Sequence, residues 1–169
     1  MKIDVPYYSQ WIDVKDRQWM PKACAIVCVK MVLDFFKAGS PDIDTLIANG
    51  DKERGYSKWG WLHDYEVGIF KRYGLSSHRE EKMGEAGIGK LKGALSSGNP
   101  VIVSVINYLL ERTRFHQVVL VGFEEEKGIV SGFYYHDPAT TGDEQGAYLF
   151  CPIDKFIAGW RGMAIFIGQ

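Results

Sequence analysis

Apolar side chains run almost unbroken through residues 24–37, CAIVCVKMVLDFFK, where only Lys30, Asp34 and Lys37 are clearly polar. Those three fall at i, i+4 and i+7, which gathers them into one narrow polar stripe and predicts a helix buried on most of its circumference. Ser40 as N-cap, Pro41 at the first helical position and Asn49-Gly50 as a stop predict a second, short helix. A third is expected over 63–73 with Gly74 ending it, and a fourth over 89–97 with Gly98 ending it. Beyond Asn99-Pro100 the pattern changes to short β-branched and aromatic runs between turn-formers: VIVSVI, QVVLVGF, IVSGFYYH and AYLFC. A helix initiated by Pro152 and a final strand over 163–167 complete the chain. Helices first and strands afterwards predict an α+β fold, with helices packed on an antiparallel sheet, and not alternating βαβ units.

Composition narrows the function classes. The 169 residues are 46% hydrophobic, enough for one core, and no repeat, linker or low-complexity tract divides them, so one domain over 1–169 is expected. Twenty basic against 21 acidic residues, with neither sign gathered into a long block, argue against a nucleic-acid partner. No apolar run reaches the ~18 residues of a membrane span, and MKIDVPYYSQ lacks the apolar stretch of a secretory signal. A soluble, cytoplasmic monomer is the expectation, for a chain with no leader trimmed away. Three cysteines cannot all pair within one chain, so reduced thiols are expected and thiol chemistry is open.

Cys24 follows Met20-Pro21-Lys22-Ala23 and falls in the first turn of the buried helix. A thiol there faces the positive end of the helix dipole and unpaired N–H groups, both of which favour thiolate. A small buried apolar residue is the competing reading for any cysteine. Cys28, one turn on, could pair with Cys24 as a metal ligand, but no third or fourth ligand is near in sequence, since His63, His78 and Cys151 are isolated. Cys28 and Cys151 read as core. His116 opens a strand apolar on both faces, at the edge of the core, where a histidine can be held rigidly yet reach a cleft. The next strand ends in Tyr134-Tyr135-His136-Asp137-Pro138. Returning antiparallel, it brings Asp137 back toward His116, where a carboxylate can fix the imidazole tautomer, although a turn residue ahead of Pro138 is the plainer role. The run Glu124-Glu125-Glu126-Lys127-Gly128 reads as a solvated hairpin turn. A five-residue turn there would set His116 opposite His136 and send Asp137 to the other face. Asp137 can share a face with His116 only if the turn has an even number of residues or a bulge lies near Ser131-Gly132.

Seven segments in order, VPYYSQ, CAIVCVKMVLDFF, GWLHDYEVGIFKRYGL, GNPVIVSV, FHQVVLVGF, YYHDPA and KFIAGWRGMAIFI, resemble the double-glycine leader peptidases, peptidase family C39, and their stand-alone relatives, over most of the chain. The resemblance implies a papain-like fold and a cysteine peptidase or amidase acting on a peptide or protein without a cofactor. It implies Cys24 as nucleophile, His116 as base and Asp137 as its orienting partner. It also implies a glutamine that helps form the oxyanion hole. Gln10 matches by motif, in VPYYSQ; Gln18 is the rival by spacing, six residues before Cys24. The chain departs from the family pattern at Ala25, where glycine is usual, at Phe115, where glycine is usual, and at Gln117, where an aromatic or apolar residue is usual. Phe115 and Gln117 bear on substrate preference. They also motivate a second reading, a catalytically silent domain binding an extended peptide or glycan, and a third reading keeps the triad but gives it to a transferase or deamidase.

Overall fold

The computed structural model describes residues 1–106, 115–141 and 145–169. A one-turn 3-10 helix, Met20–Lys22, leads into α1 (Cys24–Phe35). There follow α2 (Ile43–Lys52), the two-residue strands β1 (Tyr56–Ser57) and β2 (Gly60–Trp61), α3 (His63–Arg72), β3 (Ser76–Glu80) and α4 (Gly87–Ser96). The remainder is β4 (Val101–Ile106), β5 (Phe115–Glu126), β6 (Ile129–His136), β7 (Leu149–Pro152), α5 (Ile153–Gly159) and β8 (Trp160–Gly168). Six of the strands form one sheet in the order β3-β8-β4-β5-β6-β7, antiparallel throughout, and β1 pairs with β2 apart from it. The class is α+β, as the order of periodicities implies.

The wet stripe on α1 is real: Lys30 Nζ lies 2.7 Å from Asp34 Oδ1. The rest of the helix, from Ala25 to Val29 and from Met31 to Leu33, is buried. It packs against β5, whose residues from His116 to Phe123 are buried on both faces. Among the described residues no helix is long and apolar enough to cross a membrane.

Several element ends differ from expectation. α2 begins two residues later than Pro41, because the Asp42 side chain accepts the Thr45 N–H at 2.8 Å and takes the N-cap from Ser40. Asn49-Gly50 lies inside α2 and does not end it. Gly50 is there because the Trp61 ring rests on its Cα, and a Cβ would collide with that ring. The glutamate run is strand, not turn. β5 extends through Glu126, and the turn is Lys127-Gly128, with φ of 50° and 85°, the left-handed pair of a two-residue hairpin. β3, with sequence SSHRE, has no apolar signature and is held as a sheet edge by pairing with β8.

Candidate active site

α1 begins at Cys24, so the thiol sits among N–H groups that have no partner inside the helix. It is half-buried, and the N–H groups of Ala25 and Gln117 and the His116 side chain all act on it to favour thiolate. On the far side of the ring, His116 Nε2 lies 2.7 Å from Asp137 Oδ1. With Nε2 turned to the carboxylate, Nδ1 is the nitrogen available to the thiol. His116 and Asp137 are 6% and 3% exposed, so this chain of hydrogen bonds is screened from water on most sides.

The two-residue turn sets the register that brings the imidazole and the carboxylate together, and two bulges on opposite strands shift that register and then restore it. From the Lys127-Gly128 turn, Glu126 pairs with Ile129 and Glu125 with Val130, but Glu124 pairs with Gly132, leaving Ser131 as the extra residue. Further along, Gly122 pairs with Tyr134 and Leu120 with Tyr135, leaving Val121 as an extra residue on the other strand. Both an even turn and a bulge at Ser131 are therefore present. The final pair is Val119 with His136, and continuing this register carries Asp137 past Val118, one pleat along from His116 and on its face. The contact is thus diagonal, not directly across. Asp137 is further tied by the Ala139 N–H to Oδ1 at 2.8 Å and by the Tyr7 hydroxyl to its carbonyl at 3.0 Å. His136 is elsewhere occupied: it is fully buried, its Nε2 donates to Val5 O at 2.9 Å, and its Nδ1 accepts the Tyr148 N–H at 3.0 Å.

Burial opposes ionisation of the Cys24 thiol, but the His116 hydrogen bond and charge, with the two backbone N–H groups, outweigh it and bring the pKa below the ordinary 9.0. Burial likewise opposes the imidazolium, yet the hydrogen bonds to Asp137 and Cys24 and their charges raise the His116 pKa above the ordinary 6.5. Both shifts favour a thiolate–imidazolium pair at neutral pH.

Gln10 and Gln18 part company. Gln10 is buried; its N–H donates to Pro138 O and its Nε2 to Met20 O, both at 2.7 Å. It therefore bridges the end of β6 and the turn that feeds Cys24. Among the described residues one Nε2 hydrogen remains free and Oε1 has no partner. Gln18 is exposed, on the outside of the 11–22 loop, with its N–H on Asp16 Oδ1 at 2.9 Å. Phe115 stands 63% exposed under the Arg161 guanidinium, 3.3 Å from the ring centroid. The Gln117 side chain is engaged with α3: its Nε2 donates to Glu66 Oε1 at 2.8 Å. Cys28 is buried and donates to Gln117 O at 3.4 Å, and Cys151 is buried in β7. Glu66 was not among the residues read as chemical from sequence. The signal was available, since Glu66 shares the face of Ile69 and Phe70 at i+3 and i+4.

A Peptidase_C39 like family model matches residues 2–164. The chain belongs to that family, which is one of cysteine peptidases. No curated protein sequence matches it. Among solved structures, a C39-like peptidase from Bacillus anthracis superposes with a TM-score of 0.69 at 17% identity, over 100% of this chain and 98% of that one. A double glycine motif protease from an AMS/PCAT transporter, solved in complex with the leader peptide, gives 0.66 at 20% identity over 99% and 94%. The peptidase domain of Streptococcus ComA, a bi-functional ABC transporter of a quorum-sensing pathway, gives 0.64 at 19% identity over 88% and 93%. The C39 peptidase chain thus has the papain-like α+β fold of these domains.

Proposed function

We propose that this C39 peptidase hydrolyses peptide bonds by acyl transfer, with Cys24 as nucleophile, His116 as general acid and base, Asp137 as the orienting carboxylate and Gln10 as an oxyanion donor. The observation that carries the reading is the buried His116 Nε2–Asp137 Oδ1 bond of 2.7 Å beside a thiol at the start of α1, and the His116 influence that lowers the Cys24 pKa agrees with it. The Cys24 thiolate adds to the peptide carbonyl carbon, and the carbonyl electron pair moves onto oxygen. That oxyanion is met by the Cys24 N–H at the helix start and the free Nε2 hydrogen of Gln10. Collapse breaks the C–N bond as the His116 imidazolium gives its proton to the leaving amine. The thioester is then opened by a water whose proton His116 takes. Asp137 keeps the ring oriented and stabilises its charge throughout. The residues supply every proton and electron pair, so no cofactor enters. An extended peptide is the substrate class, in line with the leader peptide held by one structural neighbour. We take the chain to act as a single monomeric domain away from membrane and nucleic acid.

The test is reaction with iodoacetamide at mildly acidic pH, followed by peptide mapping. Cys24 is expected to alkylate far faster than Cys28 and Cys151, and Cys24→Ala to abolish cleavage in a peptide-library screen while Cys28→Ala keeps most of it. Equal alkylation of the three cysteines, or equal residual activity in the two variants, would remove Cys24 as nucleophile. A fast Cys24 with no peptide cleaved would instead favour the silent-binding or transferase readings.

A further inference from the structure

Two buried polar atoms, one on α3 and one on β5, lack hydrogen-bond partners among the described residues, and they are complementary. Glu66 on α3 is fully buried and Gln117 on β5 is 6% exposed. Gln117 Nε2 donates to Glu66 Oε1 at 2.8 Å, while Glu66 Oε2 and Gln117 Oε1 are both unsatisfied. Joined to each other, they would close a carboxylic acid–amide ring. If Oε2 carries a proton, it is the donor that Gln117 Oε1 needs, and both orphans disappear together. If Glu66 is ionised, two acceptors stay unpaired in the core, beside a charge.

We propose that Glu66 stands in the folded protein as the neutral acid, donates its Oε2–H to Gln117 Oε1, and through this two-hydrogen-bond ring acts as a positioning residue for the Cys24–His116 pair. The route is short. The Gln117 N–H acts on the Cys24 thiol and favours its thiolate, the Gln117 carbonyl accepts from Cys28 Sγ, and His116 is the preceding residue. Fixing the Gln117 side chain on α3 therefore pins the β5 backbone between the two cysteines of α1. The groups that face Glu66 agree with the neutral form. They are the Cys24 and Cys28 thiols of α1 and the Gln117 amide of β5, and none is a cation. Burial, the largest influence, pushes the Glu66 pKa up to about 8, against the pull of the Gln117 hydrogen bond, and the nearby Cys24 charge adds to the rise. Neutrality at Glu66 is in turn what permits negative charge on Cys24, since two anions this close in an apolar interior repel strongly.

The positioning role rests on the thiol-hydrolase reading; the protonation state does not, which separates their failures. Infrared difference spectra of the wild-type protein and Glu66→Gln near neutral pH read the protonation directly. The protonated-carboxyl C=O band is expected in the wild type and lost in the variant, and its absence from the wild type would overturn the proposal. Positioning is read from the iodoacetamide rate at Cys24 as a function of pH. Glu66→Gln rebuilds the ring as amide–amide and is expected to keep the wild-type profile. Glu66→Leu leaves the Gln117 amide with two unmet groups and is expected to slow Cys24 about tenfold. A folded Glu66→Leu protein that alkylates at the wild-type rate, or a Glu66→Gln protein that alkylates slowly, would overturn the positioning role. Should Glu66→Leu not fold, Glu66→Gln decides alone. If Cys24 alkylates no faster than Cys28 in the wild type, the hydrolase reading and with it the positioning role fall, while the infrared band still decides the ring.

Discussion

A thiol at a helix start is common enough; what distinguishes Cys24 from Cys28, one turn further on, is its partners. Among the described residues Cys28 bonds the Gln117 carbonyl, an acceptor that cannot stabilise a thiolate, and burial leaves its pKa well above 9.0. Cys24 has the His116 side chain and the N–H groups of Ala25 and Gln117 acting on it, and its pKa falls. The signs give a pH dependence for kcat/KM. The thiolate persists down to a folded-state pKa below 9.0, and the imidazolium persists up to one above 6.5. The active ion pair is therefore bounded by an acid limb that follows Cys24 and an alkaline limb that follows His116. Asp137→Asn is expected to pull the alkaline limb to lower pH, by removing a charge that raises the His116 pKa, and a pH–rate profile of the two proteins checks it. A profile unchanged by the substitution would detach Asp137 from the base. The same scale holds the glutamine question. Gln10→Ala is expected to lower kcat roughly a hundredfold, the scale of one lost oxyanion donor, and Gln18→Ala to change it little. The reverse ranking would transfer the role to Gln18.

At the scale of elements, the site depends on where β5 and β6 meet, and this is where the sequence was least legible. Ser131-Gly132 announced a bulge, because a glycine inside a strand marks either a bulge or a close approach. Gly132 is both: a Cβ there would run into the Phe150 ring and the Cys151 carbonyl of β7. The charged run Glu124-Glu125-Glu126 hid the true turn, since strand residues that overshoot the core have no apolar partner and look like loop. Nothing announced the second bulge at Val121, in a run of uniformly apolar residues where no position is marked as extra. α1, by contrast, was legible because an almost wholly apolar helix with one polar stripe admits a single placement, inside. Gly132→Val is expected to destabilise the fold by about 2 kcal/mol, the range for forcing bulk into a packed site. It is also expected to lower activity per folded molecule by loosening the Asp137 end of β6. Chemical denaturation and kcat measured on the same preparation test both parts, and a stable variant of full activity would show that the register does not hang on that glycine.

For the molecule as a whole, the thiol belongs to the helices and the imidazole and carboxylate to the sheet, so their relative placement needs a tie besides the α1–β5 packing. The N-terminal segment supplies one. The Val121 bulge frees backbone groups of β5, and the chain start takes them: the Ile3 N–H donates to Val121 O at 2.6 Å and the Phe123 N–H to Met1 O at 3.1 Å. Farther along, the Tyr7 hydroxyl bonds Thr140 and the Asp137 carbonyl, and Ser9 Oγ donates to Thr140 O at 2.6 Å. Gln10 then crosses to Met20, ahead of Cys24. The two ends of this strap have different consequences. Gly122→Ala would drive a Cβ into the Met1 carbonyl, backbone that must move, so the first residues are expected to peel from β5 at a cost of about 1–3 kcal/mol. Because Tyr7 to Gln10 keep their own bonds, the kcat of the folded fraction should stay near the wild-type value. Tyr7→Phe removes a hydroxyl bond worth about 1 kcal/mol, a smaller loss of stability. That bond holds the Asp137 backbone and lies three residues from Gln10, so kcat should fall more than in Gly122→Ala. Denaturation midpoints beside kcat for the pair test this crossing of effects, and activity that simply tracks stability in both would reduce the strap to a clamp with no part in aligning the site.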